Sequence, residues 1–216
     1  TVDGHQFIKD AIKRGACAVV GEKDIRELPI PYFQVANSRQ AMGLLAANFY
    51  NYPSRKHKII AITGTNGKTT TSHLIKHLLN FAGESCSLIG TVEYHINGKV
   101  IPSTHTTPDS LQLQKLLDDS NDRYVVMEAS SHGIEQQRLA GTFIDYALFT
   151  NLSHDHLDYH GNMNNYFNAK SQLFNFLKFD GEAIVGSYTH WGTTLIKQLK
   201  NQGKKTFSIG DKISDD

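Results

Sequence analysis

The sequence predicts an α/β fold: a P-loop-type central domain with a mostly parallel sheet flanked by helices, preceded by part of a smaller α/β domain. Three observations predict it. Residues 59–70 run from the β-branched stretch Ile59-Ile60-Ala61-Ile62 through the two-glycine loop Thr63-Gly64-Thr65-Asn66-Gly67 into a helical pattern opened by Lys68-Thr69-Thr70. Strand, glycine loop and helix in that order form a phosphate-binding arrangement. Downstream, apolar strand-like runs alternate with amphipathic helical ones, as a sheet with crossover helices requires. Finally, residues 53–58 are proline-started, polar and basic, which marks a boundary between residues 1–57 and 58–216.

In chain order, Phe7, Ile8, Ala11 and Ile12 fall at helical spacing with Gly15 as the stop, and residues 17–20 and 32–35 read as short strands, the first of them buried. Asn37 with Gln40 makes a capping-box pattern before a helix that presents Ala41, Leu44, Leu45 and Phe49 and ends near Tyr52-Pro53. The helix after the phosphate loop carries Leu74, Ile75, Leu78, Leu79 and Ala82 on one face, expected to pack back on the sheet. Residues 88–96 have strand character, followed by a hairpin turn at Asn97-Gly98. Thr107 is placed to cap a helix starting at Pro108, with Leu113, Leu116 and Leu117 facing inward. Residues 124–127 form an apolar strand with Glu128 at its carboxyl end, and residues 144–152 repeat the scheme through Asn151. A helix over 163–178, a strand over 182–186, a helix near 193–201 and a strand over 205–209 complete the alternation.

Twenty-two basic against twenty-one acidic side chains leave a net charge of +1, so the electrostatic footprint of a nucleic-acid or anionic-membrane binder is absent. An anionic ligand must be held locally. No apolar run approaches the ~20 residues needed to span a bilayer. Cys17 and Cys86 lack metal-type or paired spacing and read as buried, reduced thiols, which suits the cytoplasm.

Chemistry concentrates in a few places. In the loop, Gly64 and Gly67 let backbone amides turn onto an anion, Lys68 is able to reach outer phosphates, and the Thr69 hydroxyl is placed to ligate the accompanying Mg²⁺. Ile62 stands where the full Walker pattern has glycine, so the motif is a shortened variant. Glu128 is either a metal carboxylate facing that loop or a solvated strand-end acid. The run 153–160 admits two chemistries. His154, His156 and Asp158 resemble the ligands of binuclear metallohydrolases, although Tyr159 occupies the last ligand position; alternatively His156 alone ligates a metal beside a nucleotide. Lys170 lies on an apolar helical stripe, four residues after Tyr166 and four before Phe174. It either snorkels or, when desolvated, offers a neutral amine able to take up carbon dioxide as a carbamate and ligate a second cation. Three function classes therefore stand: a nucleotide-dependent enzyme, a metal-dependent hydrolase using the His154 to Asp158 cluster, and a nucleotide-binding module without catalysis.

Taken together, residues 64–70, Thr106-Thr107-Pro108, Met127-Glu128-Ala129-Ser130-Ser131-His132-Gly133, Asn151-Leu152-Ser153 with residues 155–160, and Ala169-Lys170 resemble the Mur ligase family. Val2-Asp3-Gly4-His5-Gln6-Phe7-Ile8 is similar to its uridine-nucleotide domain. The resemblance runs from end to end and implies an ATP-dependent amide ligase of peptidoglycan precursor synthesis. Its substrates would be UDP-N-acetylmuramoyl-L-alanyl-D-glutamate and a free amino acid, joined through an acyl phosphate on the D-glutamate. By residue, the resemblance implies that Gly64, Thr65, Asn66, Gly67, Lys68, Thr69 and Thr70 hold ATP. Thr69 and Glu128 would hold one Mg²⁺, and His156 with a carbamylated Lys170 a second cation, so that Lys68, Glu128, His156 and Lys170 carry the catalysis. His105, Thr106, Thr107, Ser130, Gln136 and Arg138 match substrate-contacting positions, and Arg138 suits a carboxylate or phosphate. His154 departs from the family's usual Arg, and His105 from its usual Asn. The resemblance further implies a cytoplasmic monomer with a three-domain plan. Residues 1–57 would be part of the uridine-nucleotide-binding domain and 58–216 an incomplete ATP-binding domain. The carboxy-terminal amino-acid domain is missing, so the chain is expected to be a fragment that is inactive alone, and the choice between lysine and diaminopimelate is not legible.

Overall fold

A computed structural model describes residues 3–210; Val2, part of the amino-terminal resemblance, and residues 211–216 lie outside the described residues. The chain opens with a 3₁₀ turn (Gly4–Phe7), α1 (Ile8–Lys13), β1 (Val19–Gly21), β2 (Tyr32–Gln34), α2 (Ser38–Phe49) and a second 3₁₀ turn (Pro53–Lys56). β1 and β2 pair in parallel as a sheet of their own. There follow β3 (Lys58–Thr63), α3 (Lys68–Phe81), β4 (Cys86–Ile89), β5 (Glu93–Ile96), β6 (Lys99–Pro102), α4 (Ser110–Asp119), β7 (Tyr124–Glu128) and α5 (Ser131–Glu135). Next come β8 (Ile144–Phe149), α6 (Leu157–His160), α7 (Met163–Ser171), a 3₁₀ stretch (Gln172–Phe176), β9 (Leu177–Gly186), α8 (His190–Asn201) and β10 (Lys205–Ile209). These strands build an eight-stranded sheet in the order β10-β9-β8-β3-β7-β4-β5-β6, parallel from β10 to β4 and antiparallel through β5 and β6. The mostly parallel α/β expectation holds.

Burial on both faces explains the unbroken apolar strands. Along β3, Ile59 and Ala61 join the larger core with Leu113 and Leu117 of α4, Phe167 of α7 and Leu195 of α8, whereas Ile60 and Ile62 turn to the smaller core beneath α3. Each fully buried leucine such as Leu117 contributes about 2 kcal/mol. At the end of the sheet away from the phosphate loop, Asp145 of β8 ties three strands together. Its carboxylate accepts from Lys58 Nζ at 2.9 Å, the Ile59 amide at 2.9 Å and Lys178 Nζ at 2.7 Å. Burial alone would raise its pKa, but these donors outweigh burial and hold the acid below its ordinary range.

Several local expectations fail for identifiable reasons. α2 buries Gly43, Ala46 and Ala47, leaving Leu44, Leu45 and Phe49 exposed. Close backbone approach selects the small face: a Cβ on Gly43 would lie 2.6 Å from Ala140 Cβ. On α3 only Ile75 and Leu79 meet the core, and Leu74, Leu78 and Ala82 face outward. Residues 88–96 are not one strand, because the chain turns at 90–92 and β5 runs antiparallel to β4. Asp109, not Thr107, caps α4, accepting from the Gln112 amide at 2.9 Å. The helix expected over 163–178 leaves α geometry at Gln172. Val20 and Cys17 are exposed, so the first strand is not buried, and only Cys86 is a buried thiol.

Candidate active site

Parallel register brings the chemistry to one edge. Ile62 pairs with Glu128 and Thr63 with Phe149, so the glycine loop, Glu128 and residues 150–153 all leave the carboxyl ends of adjacent strands. The loop's shape is set from β8: the Thr65 amide donates to the Asn151 carbonyl at 2.9 Å and the Asn66 amide to Asn151 Oδ1 at 3.0 Å. Gly64 is obligatory, since its φ is +144° and a Cβ would lie 1.9 Å from Thr150 Oγ1. No side chain caps α3, so the first-turn amides of Lys68, Thr69 and Thr70 have no intrahelical acceptor and, with the helix dipole, form an arrangement suited to an anion.

Two lysines converge on one oxygen. Lys68 Nζ donates to the carbonyls of Gly64 at 3.0 Å and Thr65 at 2.9 Å, and Lys170 Nζ donates to the same Gly64 oxygen at 2.8 Å. Lys170 is 1% exposed, which rules out snorkelling, and its amine sits 4.5 Å from the centroid of the Tyr166 ring. Burial, reinforced by the Lys68 charge and opposed by Asp155, lowers its pKa to about 7. Lys68 is lowered too, chiefly by burial, against the attraction of Glu128 and Asp155.

Glu128 is completely buried rather than solvated. Its carboxylate accepts from the Thr69 hydroxyl at 3.0 Å, the Thr91 hydroxyl at 2.9 Å and the Thr91 amide at 3.1 Å. Among the described residues these donors are hydroxyls and an amide, none a cation. A buried anion beside a hydroxyl at the mouth of a phosphate loop fits Mg²⁺, which takes one or two carboxylates and completes its shell with water and phosphate oxygens.

The imidazoles lie alongside. His156 is a half-exposed, left-handed residue (φ 51°) that starts α6, and its ring packs against His132 at 5.0 Å and Tyr166 at 6.2 Å. His160 is buried, 3.0 Å from Ser131 Oγ and stacked 4.9 Å from Tyr166. Burial lowers the pKa of both His132 and His160. His154 is exposed, and among the described residues no three His, Cys, Asp or Glu side chains are grouped to hold an ion. The binuclear hydrolase alternative therefore lacks its ligand set.

A cleft of about 350 Å³ gathers Thr65, Asn66, Gly67, Lys68, Thr69, Thr70, Thr106, Ser130 and His156, all singled out from sequence, together with Thr91. Gly64 and Glu128 touch this lining from within the fold, through Lys68 and Thr69, and Lys170 stands one contact further back, on the Gly64 carbonyl. Thr107 is buried behind it, 3.1 Å from Ser130 Oγ. His105, Gln136 and Arg138 are not brought into the cleft. Arg138 donates to the Thr107 carbonyl at 2.7 Å and to Gln136 Oε1 at 2.9 Å, and the backbone oxygen of His105 accepts from Tyr94 at 2.7 Å. Sequence reasoning missed Thr91 and Tyr166. The available signal for Thr91 was Gly90-Thr91 directly after an apolar strand, at the same sheet edge.

Residues 62–216 match the family described as the Mur ligase middle domain. The chain belongs to the Mur ligase family. The UDP-N-acetylmuramoyl-L-alanyl-D-glutamate--2,6-diaminopimelate ligase of Geobacillus thermodenitrificans is 47% identical over 177 residues, 81% of this chain and 36% of that protein. The ligase of the same name from Clostridium perfringens is 40% identical over 222 residues, 99% of this chain and 45% of that protein. A solved structure of a ligase with that name matches this Mur ligase chain with a TM-score of 0.81 at 36% identity, covering 97% of this chain and 44% of the other. This Mur ligase chain thus spans less than half the length of these curated relatives.

Proposed function

We propose that this chain is the nucleotide-binding body of an ATP-dependent amide ligase of peptidoglycan precursor synthesis, acting on UDP-N-acetylmuramoyl-L-alanyl-D-glutamate. The added amino acid is assigned as 2,6-diaminopimelate, supported by the names of relatives 47% and 40% identical to it. One observation carries the ligase reading: an uncapped helix start, Lys68, Thr69, a buried Glu128 and a second buried lysine meet at a single sheet edge.

In this reading the loop from Gly64 to Thr70 holds the triphosphate. Lys68 exchanges the carbonyls of Gly64 and Thr65 for outer phosphate oxygens, and the amides of residues 68–70 supply fixed donors. Thr69 and Glu128 would hold Mg²⁺, which would offset the charge of the phosphates and of the attacking carboxylate. Lys170, partly neutral near pH 7, is suited to take up carbon dioxide, its nitrogen bonding the carbon as a proton is released to solvent, and the carbamate oxygens and His156 would then be the residues to hold a second cation. His105, Thr106, Thr107, Ser130, Gln136 and Arg138 are assigned to the UDP-linked substrate. An oxygen of the D-glutamate carboxylate displaces ADP from the terminal phosphorus, giving an acyl phosphate. The amine of the amino acid then attacks the acyl carbon, phosphate leaves, and the amine gives up a proton. Residues 1–57 are assigned to a uridine-nucleotide-binding domain and 58–216 to an ATP-binding one, in a protein working as a cytoplasmic monomer.

The test is ADP release by the intact protein. Wild type should require both the UDP-linked dipeptide and diaminopimelate, and Lys68→Ala should lower the rate roughly 100-fold or more. Release that ignores the amino acid, or that survives Lys68→Ala, would overturn the ligase reading; lysine serving better than diaminopimelate would overturn the choice of amino acid.

A further inference from the structure

We propose that Thr91 is a positioning residue that aims the Glu128 carboxylate at the divalent cation accompanying the nucleotide, an inference that rests on the nucleotide site assigned above. Thr91 lies two residues beyond β4 and grips both carboxylate oxygens. Its amide donates to Oε1 at 3.1 Å and its hydroxyl to Oε2 at 2.9 Å, which fixes the place and the twist of the carboxylate plane together. Gly90 makes the grip possible, because a Cβ there would lie 2.6 Å from Oε1. A carboxylate offers about four lone-pair sites, so the two that Thr91 occupies leave room for Thr69 and a cation.

Thr91 is itself exposed and adds little to the core, so its hydrogen bonds are what it has to contribute. Thr91 Oγ1 also lies 3.1 Å from Thr106 Oγ1. Thr91 is the donor in both contacts, so its single proton serves one acceptor at a time, and the charged Glu128 oxygen is the stronger and the nearer of the two. Thr91 thus stands between the loop assigned to the UDP-linked substrate and the acid assigned to the cation. Partners that orient a metal ligand typically change metal affinity by ~10–100-fold when removed, far more than an exposed threonine changes stability.

The experiment uses Mn²⁺ as a paramagnetic probe, titrated by electron paramagnetic resonance into the intact protein with and without ATP, for wild type, Thr91→Val and Thr91→Ser. Valine keeps the shape and the amide but removes the hydroxyl. Thr91→Val should weaken Mn²⁺ binding in the ATP complex roughly 10-fold, leave metal-free ATP binding and the melting temperature unchanged, and be rescued by Thr91→Ser. Wild-type Mn²⁺ affinity in Thr91→Val would overturn the proposal, as would an equal loss of metal-free ATP binding or a lowered melting temperature. An intact wild-type protein that binds no nucleotide would overturn the nucleotide site and this proposal with it, whereas the former results leave that site standing.

Discussion

Among single residues, Lys170 shows how a helical pattern poses a question that only packing answers. Its place on an apolar stripe was visible in sequence, but whether the amine escapes to solvent depends on Tyr166 and the Gly64 carbonyl, which close over it. Because its pKa falls from an ordinary 10.5 to about 7, the unfolded chain binds more protons than the folded one between those values. Burying Lys170 therefore lowers stability at and below pH 7, and the penalty fades as pH rises toward 10.5. Lys170→Met should accordingly be more stable than wild type at pH 7, with the gap narrowing steadily on the alkaline side in urea melts; a gap independent of pH would show that the amine stays charged. Glu128 gives the complementary case. Its position at a strand's end was legible, yet its grip by Thr91 was not, since that contact joins strands 37 residues apart in sequence.

The secondary-structure elements were legible in proportion to how completely they are buried. β3 and β7, apolar on both faces, announce themselves as unbroken runs, and α4 buries the leucines that its spacing selects. α2 misleads because leucine and phenylalanine suggest one face while the neighbouring backbone admits only the small one. Gly43 meets Ala140, and a Cβ on Gly141 would lie 2.6 Å from Ala47 Cβ, so two close-packed surfaces interlock without large side chains. Replacing a mid-helix glycine usually gains up to ~1 kcal/mol, but here the overlap prevails. Gly43→Val should destabilise by about 2 kcal/mol, read as a lower urea midpoint at unchanged slope. A stabilised variant would mean that α2 can shift away from residues 140–141 without loss.

Across the whole molecule, the convergence of the site was legible because parallel strands deliver their carboxyl ends to a common edge, so residues after β3, β7 and β8 had to meet. The position of Arg138 relative to that edge was not, because its guanidinium is claimed by Thr107 and Gln136 through contacts that no local pattern encodes. If the cleft binds nucleotide in the folded state alone, ADP with Mg²⁺ at 100 times its dissociation constant should raise the unfolding free energy by about 2.7 kcal/mol, visible as a higher melting temperature. An unmoved transition would count against the site. The cleft wall is assembled from residues 65–70, 91, 106, 130 and 156, and none of these segments adjoins another along the chain. Anything lodged there acts as a rivet driven through several strands at once, so its hold should vanish in a single cooperative event rather than being surrendered piece by piece.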